Sequence, residues 1–426
     1  MTYIINYHRM LNVRSIIKSN VNFTSYKFYT DFLKDIAESY RNGASEIVLQ
    51  LFENGDEDVY NSTYHIDPIV VPLLLSLTEQ LSKYHKKKLS LRLNNNPATI
   101  DVLEFLVKCD FFHISGNNVN PNFPRGRNIL DFDPLFFGLF KGKVLRTQHR
   151  VRGYSLEDDG LAIAINDFSI EEDKRDFLMS HYTYKVRDHF QELLFENELT
   201  IDLHNIYIDI LSELITNAVL HSKSNAYALM FVDRFKTKFS ISDNGVGFET
   251  SMKSKKSTSY YELNSLKNEL SKHSTISNIS PEILNNLHTI FDTLYYSALK
   301  ERHGLFDLMV TVVLGSQGYF RIHSENSQII VSNRMMEELK NLEHLRNEIY
   351  SIHNLYALGQ ITDVEWEEIM QRKSLLLKNS FIDFYKKAVD KYSVDIKFSS
   401  LRFFLVKFRG VHIEVEIPNN LSDDHI

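Results

Sequence analysis

The hydrophobic pattern of the chain changes period several times, and each change marks an element. Residues 46–52 (EIVLQLF) form a short apolar run that predicts a buried strand. Residues 67–85 (DPIVVPLLLSLTEQLSKYH) predict a helix, with Asp67 as N-cap and Pro68 at its first position. Residues 88–93 (KLSLRL) alternate and predict a strand, and Asn94-Asn95-Asn96-Pro97 predicts a turn. Residues 98–108 carry helical spacing through Ile100, Leu103, Leu106 and Val107. This strand–helix–strand–helix order implies a small α/β domain over residues 1–135 with part of its sheet parallel. The Asn-, Pro- and Gly-rich run 116–135 reads as its edge, and residues 136–180 as a connecting segment.

The pattern then predicts a second domain over 181–418 and a tail over 419–426. Helical periodicity covers 183–196 and 203–221, and consecutive strands are expected at 226–232 and 237–242. Residues 262–300 and 304–315 read as helical, and 249–302 as a lid. A strand pair is expected at 318–323 and 328–332 around Glu325-Asn326, with closing strands at 401–407 and 411–417. Between them, 335–400 reads as a helical insertion. Leu339, Leu342, Leu345, Ile349 and Ile352 recur at helical spacing, and a second helix runs from about Val364 to Val389. A hairpin of this kind packs on its own domain or on a second copy of the chain. The expected class is α/β (α+β), with a two-layer second domain and no internal repeat.

Composition narrows this picture. A length of 426 residues, 43% hydrophobic and 24% charged, suits two or three globular domains rather than a disordered chain. A formal net charge of −7 argues against general nucleic-acid binding, which depends on neutralising phosphates. The basic runs Lys83-Tyr84-His85-Lys86-Lys87-Lys88 and Lys253, Lys255, Lys256 read as solvated surface. Cys109 is the only cysteine, which removes intrachain disulfides and fits a reducing compartment. The opening residues lack a cationic start with an apolar core, so no signal peptide is expected. The longest apolar run, near Ile69 to Leu77, is far short of the roughly 20 residues that span a bilayer. A cytoplasmic protein without membrane partners is expected.

Three segments carry chemistry. In LSELITNAVLHS (211–222), Glu213, Asn217 and His221 stand at i, i+4 and i+8, on one helix face. A polar stripe on an otherwise apolar helix needs partners, and a ligand is one. An Asn carbonyl suits Mg²⁺, which takes few protein ligands and completes its shell with phosphate and water. A Glu one turn away suits proton transfer. The second segment, SDNGVGFE (242–249), ends a strand with glycines that permit close backbone approach. Asp243 offers an acceptor for an exocyclic amine such as adenine N6. The third, ERHGLFDLMVTVVLGSQGYFRIHSEN (301–326), opens an apolar helix at Gly304, whose amides suit phosphate.

Together these segments resemble the N, G1 and G2 boxes of the GHKL superfamily, which includes gyrase, MutL, histidine kinases and anti-sigma kinases. The resemblance spans about residues 180–332 plus 405–418, where FRGVHIEVEIP looks like the family's closing strand. It implies a Bergerat-type domain that binds ATP with Mg²⁺. Position by position, it makes Glu213 the catalytic residue, Asn217 the magnesium ligand and Asp243 the adenine contact. Gly245 and Gly247 become loop glycines, and Gly304 a phosphate-loop glycine. His221, Phe248, His303 and Leu305 belong to the same expected nucleotide site. Arg302 and His303 stand where the family has Gly-x-Gly, and Val411 replaces a threonine. Residues 40–115 loosely resemble a STAS domain, although Pro68 follows Asp67 where that family has a phosphoacceptor serine.

These resemblances leave three functions open. One is an ATP-hydrolysing conformational switch, in a regulatory or defence system, that reports to a protein partner or acts as a homo-oligomer. The second is a serine or histidine kinase of anti-sigma type. The third is a nucleotide-binding interaction module without catalysis. A histidine at the base of this helix, as His221 is, caps or packs more often than it catalyses.

Overall fold

The computed structural model describes residues 12–54, 62–93, 98–120, 123–136, 150–222, 224–273, 279–395 and 399–419. The expected turn at 94–97, residues 137–149 of the expected connector and all but the first residue of the tail lie outside them. The chain divides into two compact units, residues 1–147 and 148–426. Both mix helices with strands, as the periodicity implies. Among the described residues no helix is long and apolar enough to cross a membrane.

The first unit is built on four parallel strands: β1 (Asn12–Ile17), β2 (Ile47–Phe52), β3 (Leu89–Arg92) and β4 (Leu130–Asp131), in that order across the sheet. Helices α1 (Leu33–Arg41), α2 (Val71–His85) and α3 (Ile100–Lys108) connect them. Parallel neighbours require such crossovers. Asp67 caps the turn before α2 by accepting from the Ile69 amide at 3.4 Å. Leu73, Leu75, Leu103 and Leu106 are fully buried.

In the second unit five antiparallel strands form one sheet. They are β5 (Val151–Tyr154), β6 (Ala226–Val232), β7 (Lys236–Asp243), β8 (Tyr319–Ser332) and β9 (Leu401–Pro418). The order across the sheet is β8-β9-β7-β6-β5. Helices α4 (Glu171–His189) and α5 (His204–Ser222) precede β6, and α6 (Gly247–Lys253) follows β7. Then come α7 (Ser265–Lys272), α8 (Pro281–Leu299) and the short α9 (Leu305–Val310). The insertion is α10 (Met336–Ala357) and α11 (Asp363–Asp390).

Four expectations change. Residues 150–180 are not a connector: β5 pairs with β6 through Val151–Leu229 to Tyr154–Ala226, and α4 begins at Glu171. Much of the expected lid is core. Leu287, Ile290, Phe291 and Leu294 of α8 are fully buried, because apolar residues occupy several of its faces. Residues 318–332 are a single strand rather than a pair. Glu325 takes a left-handed φ of 58°, and the resulting bulge lets β8 bend while pairing with β9 on both sides of it. Residues 401–418 are likewise one strand. The insertion is the expected hairpin, and it lies on its own unit. His288 on α8 meets the Tyr385 hydroxyl at 3.0 Å, and the Tyr295 hydroxyl donates to the Ser374 carbonyl at 3.2 Å.

Candidate functional site

The second unit holds a cavity of about 480 Å³ between the sheet, α4, α5, α6, the 300–305 loop and the insertion hairpin. Its volume lies within the range of small-molecule sites, roughly 300–1,000 Å³. Asn217, His221, Asp243, Gly247, Phe248, His303, Gly304 and Leu305 all line it. Three segments separated by up to about ninety residues thus meet at one place.

α5 supplies the polar stripe because its other faces are consumed by packing. Ile208, Leu211, Ile215 and Val219 are all but fully buried. Asn217 donates from Nδ2 to Glu213 Oε1 at 2.7 Å. A carboxylate only accepts, so this bond fixes the amide and leaves Asn217 Oδ1 for another partner. Glu213 is 7% exposed and is not part of the cavity lining. Its second oxygen accepts from Arg175 on α4, which also donates to the His303 carbonyl at 2.8 Å. His221 faces Glu171 at 3.5 Å, and burial, with Lys255 and Lys300 nearby, pushes its imidazole down to about 3. It is therefore neutral at ordinary pH and supplies no positive charge.

Ile241 and Asp243 lie on the same face of β7, two residues apart. Ile413 on β9 is the cross-strand partner of Ile241, and Val411 lies beside it on the same face. Asp243 is thus an acid at the end of an apolar wall, and it is 5% exposed. Burial pushes its carboxyl up to about 7, against hydrogen bonds from the Gly245 and Val411 amides. Gly245 does not line the cavity; its amide holds Asp243 Oδ1 at 2.7 Å. Gly247 turns the chain into α6 with φ of 71°.

Gly410 is a residue that the sequence reading left unassigned within FRGVHIEVEIP. It has φ of 102°, and a Cβ there would lie 2.1 Å from the Asp243 carbonyl oxygen. Only glycine permits this approach of β9 to the end of β7. Gly410→Ala should lower stability by about 1–3 kcal/mol in chemical denaturation and displace Asp243. An unchanged midpoint would contradict the contact.

The 300–305 loop differs from expectation. The Gly304 amide donates to Asp307 Oδ2 at 2.9 Å, and the Phe306 amide to Ser297 Oγ at 3.0 Å. Two amides at the start of α9 are therefore committed internally and do not face a ligand. The loop is instead anchored by Arg346 of α10, 1% exposed, which bonds both Asp307 oxygens at 2.9 and 3.2 Å. Arg346 also donates to the Lys300 carbonyl at 2.7 Å and the Arg302 carbonyl at 3.1 Å. Burial disfavours the Asp307 carboxylate, but hydrogen bonds from His303 and Arg346 outweigh that and hold its carboxyl below the usual value.

The cations around the cavity come from side chains. Lys255, expected on a solvated loop, is 8% exposed and pairs with Glu171 Oε1 at 2.6 Å. Lys300 also lines the cavity, and burial together with Lys255 holds its ammonium below the usual value. Nothing in the local sequence marks Glu171 or Arg175, because their partners are distant in the chain. Among the described residues no cluster of three or more His, Cys, Asp or Glu forms a metal site. A cation here would rest on Asn217 Oδ1 and on oxygens of its own ligand, a donor set that suits Mg²⁺. No protein-family model, curated protein or solved structure matches the chain.

Proposed function

We propose that the cavity binds ATP with Mg²⁺ and that the second unit is an ATP-hydrolysing switch of the GHKL kind. The observation that carries this reading is the set of residues that share one cavity. It has a buried acid on an apolar wall, Asp243 beside Ile241, Val411 and Ile413. The same cavity is lined by Asn217, Lys255 and Lys300. An apolar slot with one acceptor suits a purine carrying an amine, and the cations suit its phosphates. The motif spacing supports the same reading independently.

On this reading Asp243 accepts from adenine N6, and Gly245 and Val411 hold its carboxylate in place. Asn217 Oδ1 would hold Mg²⁺, which neutralises phosphate charge when bound. Glu213 orients and deprotonates the attacking water, one turn from Asn217. The insertion hairpin reads the state of the loop through Arg346, which offers a route to a protein partner.

Isothermal calorimetry on the full chain tests the base contact. ATP should bind at least tenfold more tightly than GTP, since guanine presents an acceptor to Asp243 where adenine presents a donor. Equal affinities would refute the assignment. Incubation with γ-labelled ATP and Mg²⁺ then separates hydrolysis, which releases phosphate, from kinase action, which labels protein.

A further inference from the structure

α4 brings Glu171, Glu172 and Arg175 to the cavity, and Glu171 and Arg175, one turn apart, are already paired with residues of the site. Glu171 Oε1 holds Lys255 Nζ at 2.6 Å. Arg175 Nη2 holds Glu213 and the His303 carbonyl together. Next to it, Asp176 pairs with Arg302 of the same loop. α4 thus supplies counter-ions to the residues that the nucleotide reading assigns to phosphate and catalysis.

Arg175 sits between Glu213 and the 300–305 loop, with its side chain 14% exposed and part of the cavity wall. Its guanidinium carries five donors in a planar fork that matches phosphate as well as carboxylate. A terminal phosphate carries more charge than one carboxylate and offers several acceptor oxygens. In a partly desolvated site it competes strongly for the guanidinium. Glu213, meanwhile, has each oxygen engaged by a donor, Asn217 on one and Arg175 on the other. Each oxygen keeps a further lone pair, but the Arg175 guanidinium covers the Oε2 side and ties it to the 300–305 loop, and its departure opens that side to water.

We propose that Arg175 is a phosphate-sensing latch that exchanges Glu213 for the terminal phosphate of the bound nucleotide, and so frees Glu213 to act on water. This rests on the reading of the cavity as a nucleotide site. The exchange ties release of the base to the presence of the terminal phosphate. ADP, which lacks that group, leaves Arg175 on Glu213. Arg175 is then a binding residue for ATP and a positioning residue for Glu213.

The test is calorimetry of ATP and ADP, each with Mg²⁺, on the full chain. Arg175→Ala should weaken ATP at least tenfold and leave ADP within twofold, and Arg175→Lys should restore part of the loss. Glu213→Gln removes the competing charge, so it should tighten ATP about threefold or more. That gain should vanish when Arg175→Ala is also present. The Glu213→Gln measurement stands by itself if Arg175→Ala does not fold. Equal weakening of ATP and ADP by Arg175→Ala, or no gain from Glu213→Gln, overturns the latch and leaves the nucleotide site standing. A parent chain that binds neither nucleotide overturns both.

Discussion

Glu213→Ala should bind MgATP at least as tightly as the parent chain and hydrolyse it about 10²–10⁴-fold more slowly. A general base acts only in the transition state, so its loss lowers turnover and spares ground-state binding. Removing Glu213 also leaves Arg175 without its carboxylate partner, which favours phosphate rather than opposing it. Asn217→Ala should behave differently. It deletes the only side-chain oxygen assigned to the cation, so Mg²⁺-dependent affinity and turnover fall together. The two residues are bonded to each other at 2.7 Å, so their effects will not add. A structural role for Glu213 predicts another pattern. The melting temperature would then drop with and without nucleotide, and binding would suffer as much as turnover. Measuring MgATP affinity, phosphate release and melting temperature on both variants decides between these. A Glu213→Ala chain that hydrolyses ATP at the parent rate removes the assigned role.

What the sequence revealed and what it hid divide along physical lines. Strands 47–52, 89–92, 226–232 and 236–243 were legible because burial imposes a local period on apolar residues. The stripe Glu213, Asn217, His221 was legible because helix geometry puts it on one face, and Asp243 because a turn follows its strand. Each of these signals is complete within a few residues. The missed features are pairings between polar residues far apart. Arg175 lies in EEDKRDF, a stretch charged on every face, and only Glu213, 38 residues away, gives it meaning. Lys255 looked solvated because its partner Glu171 is 84 residues upstream. Arg346 was hidden in a charged helix whose apolar positions were read correctly. Gly410 was seen only as part of a strand, since the carbonyl it must approach belongs to Asp243. The bulge at Glu325 was read as a turn because Glu325-Asn326 between two strands has the same local look in both cases. Which one forms depends on β9, which pairs across it.

Asp243→Asn carries three linked expectations. The first is affinity: losing a hydrogen bond to a charged group costs about 1.5–3 kcal/mol, or roughly ten- to a hundredfold in ATP binding. The second is pH dependence. Burial pushes the Asp243 carboxyl up to about 7, and the ionised form is the stronger acceptor for adenine N6. The ionised fraction grows from about a tenth at pH 6 to about nine tenths at pH 8, so ATP affinity of the parent rises over that range, by up to about tenfold. The phosphates titrate as well, but the ratio of parent to variant cancels their contribution. The third is stability. The folded carboxyl holds its proton up to about 7, while the unfolded one releases it near 3.8. Between those values the folded state binds more protons, so stability falls as pH rises and levels off above about 7. The ionised form costs the fold up to about 4 kcal/mol there. Asn has no such titration, although its amide keeps only one acceptor oxygen where the carboxylate has two. The variant's melting temperature should therefore change less than the parent's between pH 5 and 8. Thermal melts and calorimetry across that range test both slopes together. If the parent and variant profiles run parallel in binding, Asp243 is not the base contact. If they run parallel in stability, its burial does not carry the assigned penalty.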